Sequence, residues 1–298
     1  MKSLIEYISQ NEKHSSIDEY IKENLFMEGG HAVEAQPIPA SICMDVFNEV
    51  VEKLHDKYPD LEIAALGSTG KKKDDDFNGD IDTAVKIDSM DELKKIIDEV
   101  FPETEKSNTT YKIYSIGYPY DIKGKKGTAQ VDFMQVTDLK WAEFFWHSPS
   151  IRDGESNYKG GAAGDLLSIT ISEMPVEGVE NEYYEDGQLK KKWKHTLNSE
   201  GIFSQLLDYT GKTGPLKTPK RPKEFQKLVT KDPDGVVKFI FGDAKVDIST
   251  IYAAEKMWKA IHDPKLFKWQ EVVPTIEKRY FEECQDKWGL KRDDFPTK

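Results

Sequence analysis

The chain has 298 residues, of which 38% are hydrophobic and 32% are charged, and its formal net charge is −12. This length is enough for two modest domains. The negative charge excludes a surface that as a whole attracts nucleic acid or anionic membrane, so any nucleic-acid contact must come from a local basic patch.

Cysteine content and hydropathy exclude two further classes. Cys43 and Cys284 are the two cysteines, too few for a disulfide framework or a cysteine-rich zinc site. The N-terminal residues lack the apolar run of a signal peptide, and no segment approaches the roughly 20 apolar residues of a membrane span. The sequence therefore predicts a cytoplasmic protein without membrane contact.

The first half of the chain alternates between helical and strand patterns. Short helices are predicted over 3–10 and 17–26, and the Gly- and Pro-rich loop after them contains Glu28–His31, either a connecting turn or a functional loop. The predicted elements that follow are a helix over 42–57, strands over 61–67 and 80–87, a helix over 90–101, strands over 110–117 and 129–136, and a helix over 138–148. This order predicts an α+β domain over residues 1–150, with a small mixed β-sheet and helices on one face.

The pattern changes near residue 150. A Gly- and Ser-rich loop leads into an apolar helix, and residues 181–198 predict a hairpin that turns at Asp186 and Gly187. From Glu224 onward the spacing is mostly helical. We therefore expect a second, mainly helical domain over residues 151–298.

Three aspartates are the strongest chemical signal. Asp80 and Asp82 are two residues apart in a strand and so share a face, and Asp132 lies in an apolar strand. If these strands are neighbours, the carboxylates converge and repel one another unless a cation such as Mg²⁺ binds them. The spacing of two acids alone is common on surface strands, but the apolar setting of Asp132 favours a site. Gly67 and Ser68, a loop earlier, offer a close backbone approach and a hydroxyl to phosphates.

These motifs together resemble the polymerase-β-like nucleotidyltransferase superfamily. Leu66–Ser68, Asp80–Thr83 and Val131–Phe133 match its three motifs, except that Thr83 stands where the family has an apolar residue. The length of the loop between Ser68 and Asp80 is similar to that of archaeal-type CCA-adding enzymes and oligoadenylate synthetase-like members. The resemblance covers about residues 42–146.

The resemblance implies a role for each matched residue. Asp80 and Asp82 would hold two Mg²⁺ ions, with Mn²⁺ as a substitute, and Asp132 would help to hold the catalytic ion and favour deprotonation of an acceptor hydroxyl. Gly67 and Ser68 would cradle the β- and γ-phosphates of an NTP. A nucleoside monophosphate would pass to the acceptor with release of pyrophosphate, and the second domain would bind nucleotide or acceptor.

Basic residues add candidates with open alternatives. Lys71, after the Gly-Ser turn, and Lys159, before an apolar helix, are triphosphate-binding candidates or ordinary loop lysines. The stretches Lys190–Lys194, which contains Trp193, and Lys212–Lys231 could bind an RNA or DNA backbone or could be solvated faces.

The sequence therefore predicts a transferase that acts on an acceptor hydroxyl, with an RNA 3′ end such as that of tRNA as the first candidate. A synthetase of nucleotide second messengers and a nucleotidylyltransferase of proteins or small molecules are alternatives that the charge of −12 fits better. The non-enzymatic alternative is a nucleotide- or nucleic-acid-binding module, and the intact set of three carboxylates argues against it.

Overall fold

The computed structural model describes residues 32–110, 112–210 and 219–296, which form an α+β structure with eight helices and eleven strands. The described residues divide into two compact units, one of 32–65 with Lys72–Thr137 and one of Leu66–Lys71 with 138–296. The predicted helices over 3–10 and 17–26 and the loop Glu28–His31 lie outside the described residues. None of the described helices combines the length and the apolar composition that crossing a membrane requires.

The first unit is built on a mixed five-stranded sheet. The seven strands described in this unit are β1 (Ile38–Pro39), β2 (Ile63–Ala65), β3 (Phe77–Asn78), β4 (Ile81–Lys86), β5 (Lys106–Thr110), β6 (Ile113–Ile122) and β7 (Lys125–Val136). The sheet order is β2-β4-β7-β6-β5; β4 and β7 are parallel, and the other neighbours are antiparallel. β1 and β3 form a separate antiparallel pair.

Two helices, α1 (Ala40–Lys57) and α2 (Met90–Val100), cover one face of this sheet. Their buried side chains share a core with Ile81 and Val85 of β4 and Val131 and Phe133 of β7. Because side chains alternate along a strand, the residues between these apolar positions point to the other face. Ser89 caps α2, since its hydroxyl accepts hydrogen bonds from the amides of the first helical turn.

The hairpin of β6 and β7 is longer than the sequence predicts. Residues 117–128 read as a turn-rich tip, but they pair as strand up to Ile122 and Lys125. The turn itself is Lys123-Gly124, with φ of 51° and 75°. Two left-handed residues produce a turn whose twist matches that of the strands. Only Lys123 and Gly124 therefore form the turn, and the other residues of the predicted tip are strand.

The second unit contains six helices and four strands among its described residues. They are α3 (Leu139–Phe145), α4 (Gly160–Glu173), β8 (Glu182–Glu185), β9 (Gln188–Asn198), β10 (Gly201–Asp208), β11 (Gln226–Thr230), α5 (Pro233–Phe241), α6 (Ser249–Tyr252), α7 (Ala254–His262) and α8 (Val273–Trp288). The strands form one antiparallel sheet in the order β11-β10-β9-β8.

This sheet departs from the prediction of a mainly helical second domain, which is not confirmed. The predicted hairpin is observed, because Asp186 and Gly187 (φ of 50° and 68°) join β8 to β9. β10 and β11 were not predicted, since the apolar run in β10 fits a strand or a helix and β11 is exposed along most of its length.

The core of the second unit is aromatic. Trp258 is 1% exposed and Tyr280 is fully buried, and the Tyr280 hydroxyl donates a hydrogen bond to the Ala162 carbonyl on α4. Trp141 and Phe144 of α3 belong to the same core. The packing of α3 explains why the units divide after Thr137, although the change in composition lies near residue 150.

Candidate metal centre

The three predicted carboxylates come together on the first unit. Asp82 on β4 and Asp132 on β7 are direct partners in the parallel pair, and Asp80 lies just before β4. Each side chain has a carboxylate oxygen within 4.8 Å of those of the other two. The arrangement is a compact cluster of oxygen donors.

The sequence around the aspartates explains their direction. Ile81 and Thr83 flank Asp82 in β4, and Val85 lies on the same face as these two; Val131 and Phe133 flank Asp132 in β7. All four apolar side chains are fully buried in the core under α1 and α2. Burial of these neighbours on one face directs both carboxylates to the opposite face.

Hydrogen bonds fix Asp132. Gln130 Nε2 donates to Asp132 Oδ1 at 2.9 Å, and the Ser115 hydroxyl, on the neighbouring strand β6, also bonds this carboxylate. The sequence alone did not indicate a role for either residue. Gln130 could have been found as the same-face neighbour of Asp132, but Ser115 required the register of β6 against β7.

Burial and mutual repulsion perturb the cluster. The pKa of Asp82 is raised. Burial is the largest cause, and the charges of Asp80 and Asp132 raise the pKa further. Burial also raises the pKa of Asp80 and of Asp132, although hydrogen bonds from Ser115 and Gln130 lower the latter. The cluster thus holds anionic groups in a setting that opposes their charge.

Lys72 is the lysine that acts on this cluster. Its ammonium donates to the Phe77 carbonyl at 2.7 Å, and its charge lowers the pKa of Asp80. Lys71, which the sequence gives as a triphosphate-binding candidate, belongs to the second unit.

The donor set fits a hard divalent cation. All three groups are carboxylates, and hard cations such as Mg²⁺ and Mn²⁺ prefer oxygen ligands. A bound cation would replace the repulsion among the three groups with attraction. The chemistry of the donors therefore fits the Mg²⁺ predicted from the sequence.

The chain matches no protein-family model and no curated protein. The carboxylate cluster itself is therefore the ground on which a function can be assigned.

The Gly-Ser turn lies in the second unit. Gly67 has a left-handed φ of 58°, and its amide donates to the Trp146 carbonyl at 3.1 Å. The Thr69 amide donates to the Leu66 carbonyl at 3.2 Å, which closes the turn. Gly67 thus provides a tight turn, while its own amide is already hydrogen-bonded within the protein.

The two predicted nucleotide-binding lysines differ in burial. Burial lowers the pKa of Lys71, although the charges of Glu155 and Glu143 oppose this effect. Lys159, the residue before α4, is exposed. Lys71 is therefore not an ordinary solvated loop lysine.

His147 is a feature that the sequence did not reveal. Its ring stacks on Tyr252 with centroids 3.7 Å apart, and burial together with the charge of Lys71 lowers its pKa to about 4. A backbone bridge joins His147 to Gly67. The Gly-Ser turn is therefore packed beside a neutral, stacked imidazole.

Acidic partners neutralise part of the basic stretches. On β9, Lys190 lies 3.9 Å from Glu185 and Lys192 lies 2.7 Å from Glu182. Lys231 lies 3.8 Å from Asp138. Within the predicted stretch Lys212–Lys231, residues 211–218 lie outside the described residues.

Proposed function

We propose that the chain is a Mg²⁺-dependent nucleotidyltransferase of the polymerase-β-like type. The observation that carries this proposal is the cluster of Asp80, Asp82 and Asp132, whose carboxylate oxygens lie within 4.8 Å of one another. The motif resemblance supports the same chemistry. Buried carboxylates with raised pKa values are typical of functional sites, because structural roles seldom require such repulsion.

The three aspartates would hold two cations. Bound Mg²⁺ would neutralise charge on the phosphates and lower the pKa of the acceptor hydroxyl. Asp132, which Gln130 and Ser115 fix by hydrogen bonds, would help to hold the catalytic cation and favour deprotonation of that hydroxyl. Lys72 adds positive charge beside Asp80.

The reaction is a displacement at the α-phosphate of an NTP. The acceptor oxygen forms a bond to this phosphorus, the bond to the bridging oxygen of the β-phosphate breaks, and pyrophosphate leaves with that electron pair. On the resemblance, we assign Gly67, Ser68, Lys71 and Lys159 to nucleotide binding. The role we assign to Gly67 is to form the left-handed turn, because its amide already donates a hydrogen bond to the Trp146 carbonyl.

The acceptor has two candidate classes. The basic stretches favour an RNA 3′ end, with tRNA as the first choice. The ion pairs of Lys190 and Lys192 remove two of the cations that RNA binding would use. This observation favours the second class, in which the enzyme makes a nucleotide second messenger or transfers a nucleotide to a protein or small molecule.

The test is incubation with each NTP, labelled on the α-phosphate, and Mg²⁺, with and without total tRNA. Labelled tRNA supports the RNA acceptor, and a labelled small product formed without tRNA supports the second class. Asp82→Asn should abolish either product, and Asp56→Asn, an exposed carboxylate on α1, should not.

The binding-module alternative predicts no product with any NTP. If the wild-type chain incorporates no label and its affinity for NTPs does not depend on Mg²⁺, the proposed activity is wrong.

A further inference from the structure

A polar pocket lies within the second unit. It has a volume of about 610 Å³ and is bounded by α4, β9, β10 and α8 and by the residues that lead into β11. Such a volume is typical of pockets that enclose small molecules. Because every lining residue belongs to this unit, the pocket can be analysed apart from the carboxylate cluster.

The pocket carries an excess of positive charge. Two of its lining residues are acidic, Asp165 and Glu283, and five are cationic: Lys194, Arg221, Lys223, Arg279 and Lys287. In a chain whose net charge is −12, such a concentration of cations in one concavity is unusual.

Two of these cations are neutralised within the protein. Arg279 binds Glu283 at 2.7 Å and also binds Glu173, and Lys287 binds Asp165 at 2.8 Å. These ion pairs join α8 to its own next turn and to α4. Their role is therefore accounted for by helix packing.

The other three cations of the pocket do not take part in ion pairs of this kind. The side chains of Lys194, Arg221 and Lys223 form no hydrogen bond or ion pair with any described residue. Lys194 is half-buried on β9. Its burial and the charge of Arg279 lower its pKa, and the charges of Glu173 and Glu283 oppose this effect. A bound anion would recover the free energy that the half-buried ammonium costs.

The neutral groups of the pocket are also suited to phosphate. Ser168, Ser172, Thr196, Asn198 and Gln205 line it with hydroxyl and amide groups. No Phe, Tyr or Trp is among the described residues that line it, so it offers no platform for stacking a base. Recognition by charge and hydrogen bonds is characteristic of phosphate binding.

We propose that this pocket binds a small compound that carries two or more phosphate groups. Its free cations come from separate segments and converge in one concavity, as a compact polyanion requires. An RNA backbone would need a row of free cations along a surface, and Lys190 and Lys192 of β9 are neutralised by Glu185 and Glu182. This inference goes beyond the proposed transferase activity and does not depend on it.

The test is calorimetric titration of the full chain with inorganic tripolyphosphate and with inositol hexakisphosphate, in EDTA. Both probes should bind. Lys194→Met, which keeps the length of the side chain, and the double variant Arg221→Gln/Lys223→Gln should each weaken binding about tenfold or more, since each removes charged contacts to phosphate.

The matched control is the double variant Lys191→Gln/Lys227→Gln. Both lysines are exposed on β9 and β11 and neither lines the pocket, so the control makes the same change in net charge as the double pocket variant. It should change the affinity less than about twofold. The exposed pair Arg221 and Lys223 keeps the test decisive if Lys194→Met fails to fold.

A short single-stranded RNA is titrated for comparison. Three results would overturn the proposal: no binding of either phosphate probe, equal weakening by the pocket and control variants, or binding of the RNA alone. Asp82→Asn should bind both probes as the wild type does, which separates this site from the proposed catalytic one.

Discussion

Asp82 on β4 and Asp132 on β7 lie opposite each other in parallel strands, so that two carboxylates stand level on one face of the sheet. The apolar side chains that alternate with the two acids, Ile81 and Val85 on β4 and Val131 and Phe133 on β7, are fully buried on the other face. A slip of either strand by one residue would turn its acid into the core and its apolar side chains outward, so the hydrophobic pattern fixes their pairing. The pairing of the two strands thus keeps the carboxylates of Asp82 and Asp132 close together although they repel each other.

Removal of one charge from the cluster should stabilise the protein. Burial and the neighbouring acids raise the pKa of Asp82, so the folded chain keeps this proton to a higher pH than the unfolded chain. By linkage, the free energy of unfolding falls as the pH rises through the folded-state pKa. In EDTA, Asp82→Asn should therefore raise the melting temperature by about 5 °C near pH 8 and by much less near pH 5.

Calorimetric melting at both pH values measures this difference. A variant that melts below the wild type near pH 8 would show that Asp82 is stabilising as an anion and would contradict the description of the cluster. Asp56→Asn, which changes an exposed acid, should leave the melting temperature unchanged at both.

Mg²⁺ should stabilise the wild type in a pH-dependent way. A cation that binds only the folded chain adds about 2.7 kcal/mol to the free energy of unfolding at a hundredfold excess over its dissociation constant. Because protons compete for the same oxygens, the gain should shrink near pH 5. The measurement is thermal unfolding in MgCl₂ against NaCl of equal ionic strength. Equal gains for the wild type and Asp82→Asn would place the bound cation elsewhere.

Replacement of Thr83 by valine should stabilise the protein. Thr83 is fully buried, and its hydroxyl has no hydrogen-bond partner among the described residues. Thr83→Val keeps the shape and removes the unpaired hydroxyl, so it should raise the free energy of unfolding by about 1 kcal/mol. Thr170→Val is the control, because that buried hydroxyl donates to Leu166 at 2.8 Å. Urea unfolding should show a gain for the first variant only.

Two glycines of α4 should respond in opposite directions. A Cβ on Gly160 would lie 2.3 Å from the His147 carbonyl oxygen, whereas a Cβ on Gly164 has no atom within 4 Å. Gly164→Ala should stabilise the helix by about 1 kcal/mol, because alanine loses less backbone entropy than glycine. Gly160→Ala should destabilise the second unit, because the backbone must move. Urea midpoints measure both effects, and similar midpoints would contradict this packing.

The sequence predicted much of the first unit because its signals are local. The alternation in β4 and β7 and the apolar setting of Asp132 each depend on a few adjacent residues. The hairpin at Asp186-Gly187 was predicted correctly for the same reason, because its turn signal lies in two adjacent residues. Convergence of Asp80, Asp82 and Asp132 required one further assumption, that two strands 50 residues apart are neighbours, and the strand pairing supplies it.

What the sequence missed depends on register and packing. Ser115 reaches Asp132 because β6 and β7 pair at that position, and no local pattern encodes this register. Lys71 and Lys72 are adjacent in the sequence and belong to different units. β11 lacks a buried face that would give it a period of two. The basic pocket of the second unit collects Lys194, Arg221 and Lys223 from separate segments, so neither basic stretch revealed it alone.

Binding of Mn²⁺, followed by loss of the free-ion signal in electron paramagnetic resonance, tests the metal centre most directly because it requires no knowledge of the acceptor. The wild type and Asp56→Asn should bind Mn²⁺ alike, and added Mg²⁺ should displace it. Asp80→Asn, Asp82→Asn and Asp132→Asn should each bind at least about tenfold more weakly, since each loses a charged ligand. Mn²⁺ affinity that is unchanged in all three variants would contradict the assignment of Asp80, Asp82 and Asp132 as the metal centre.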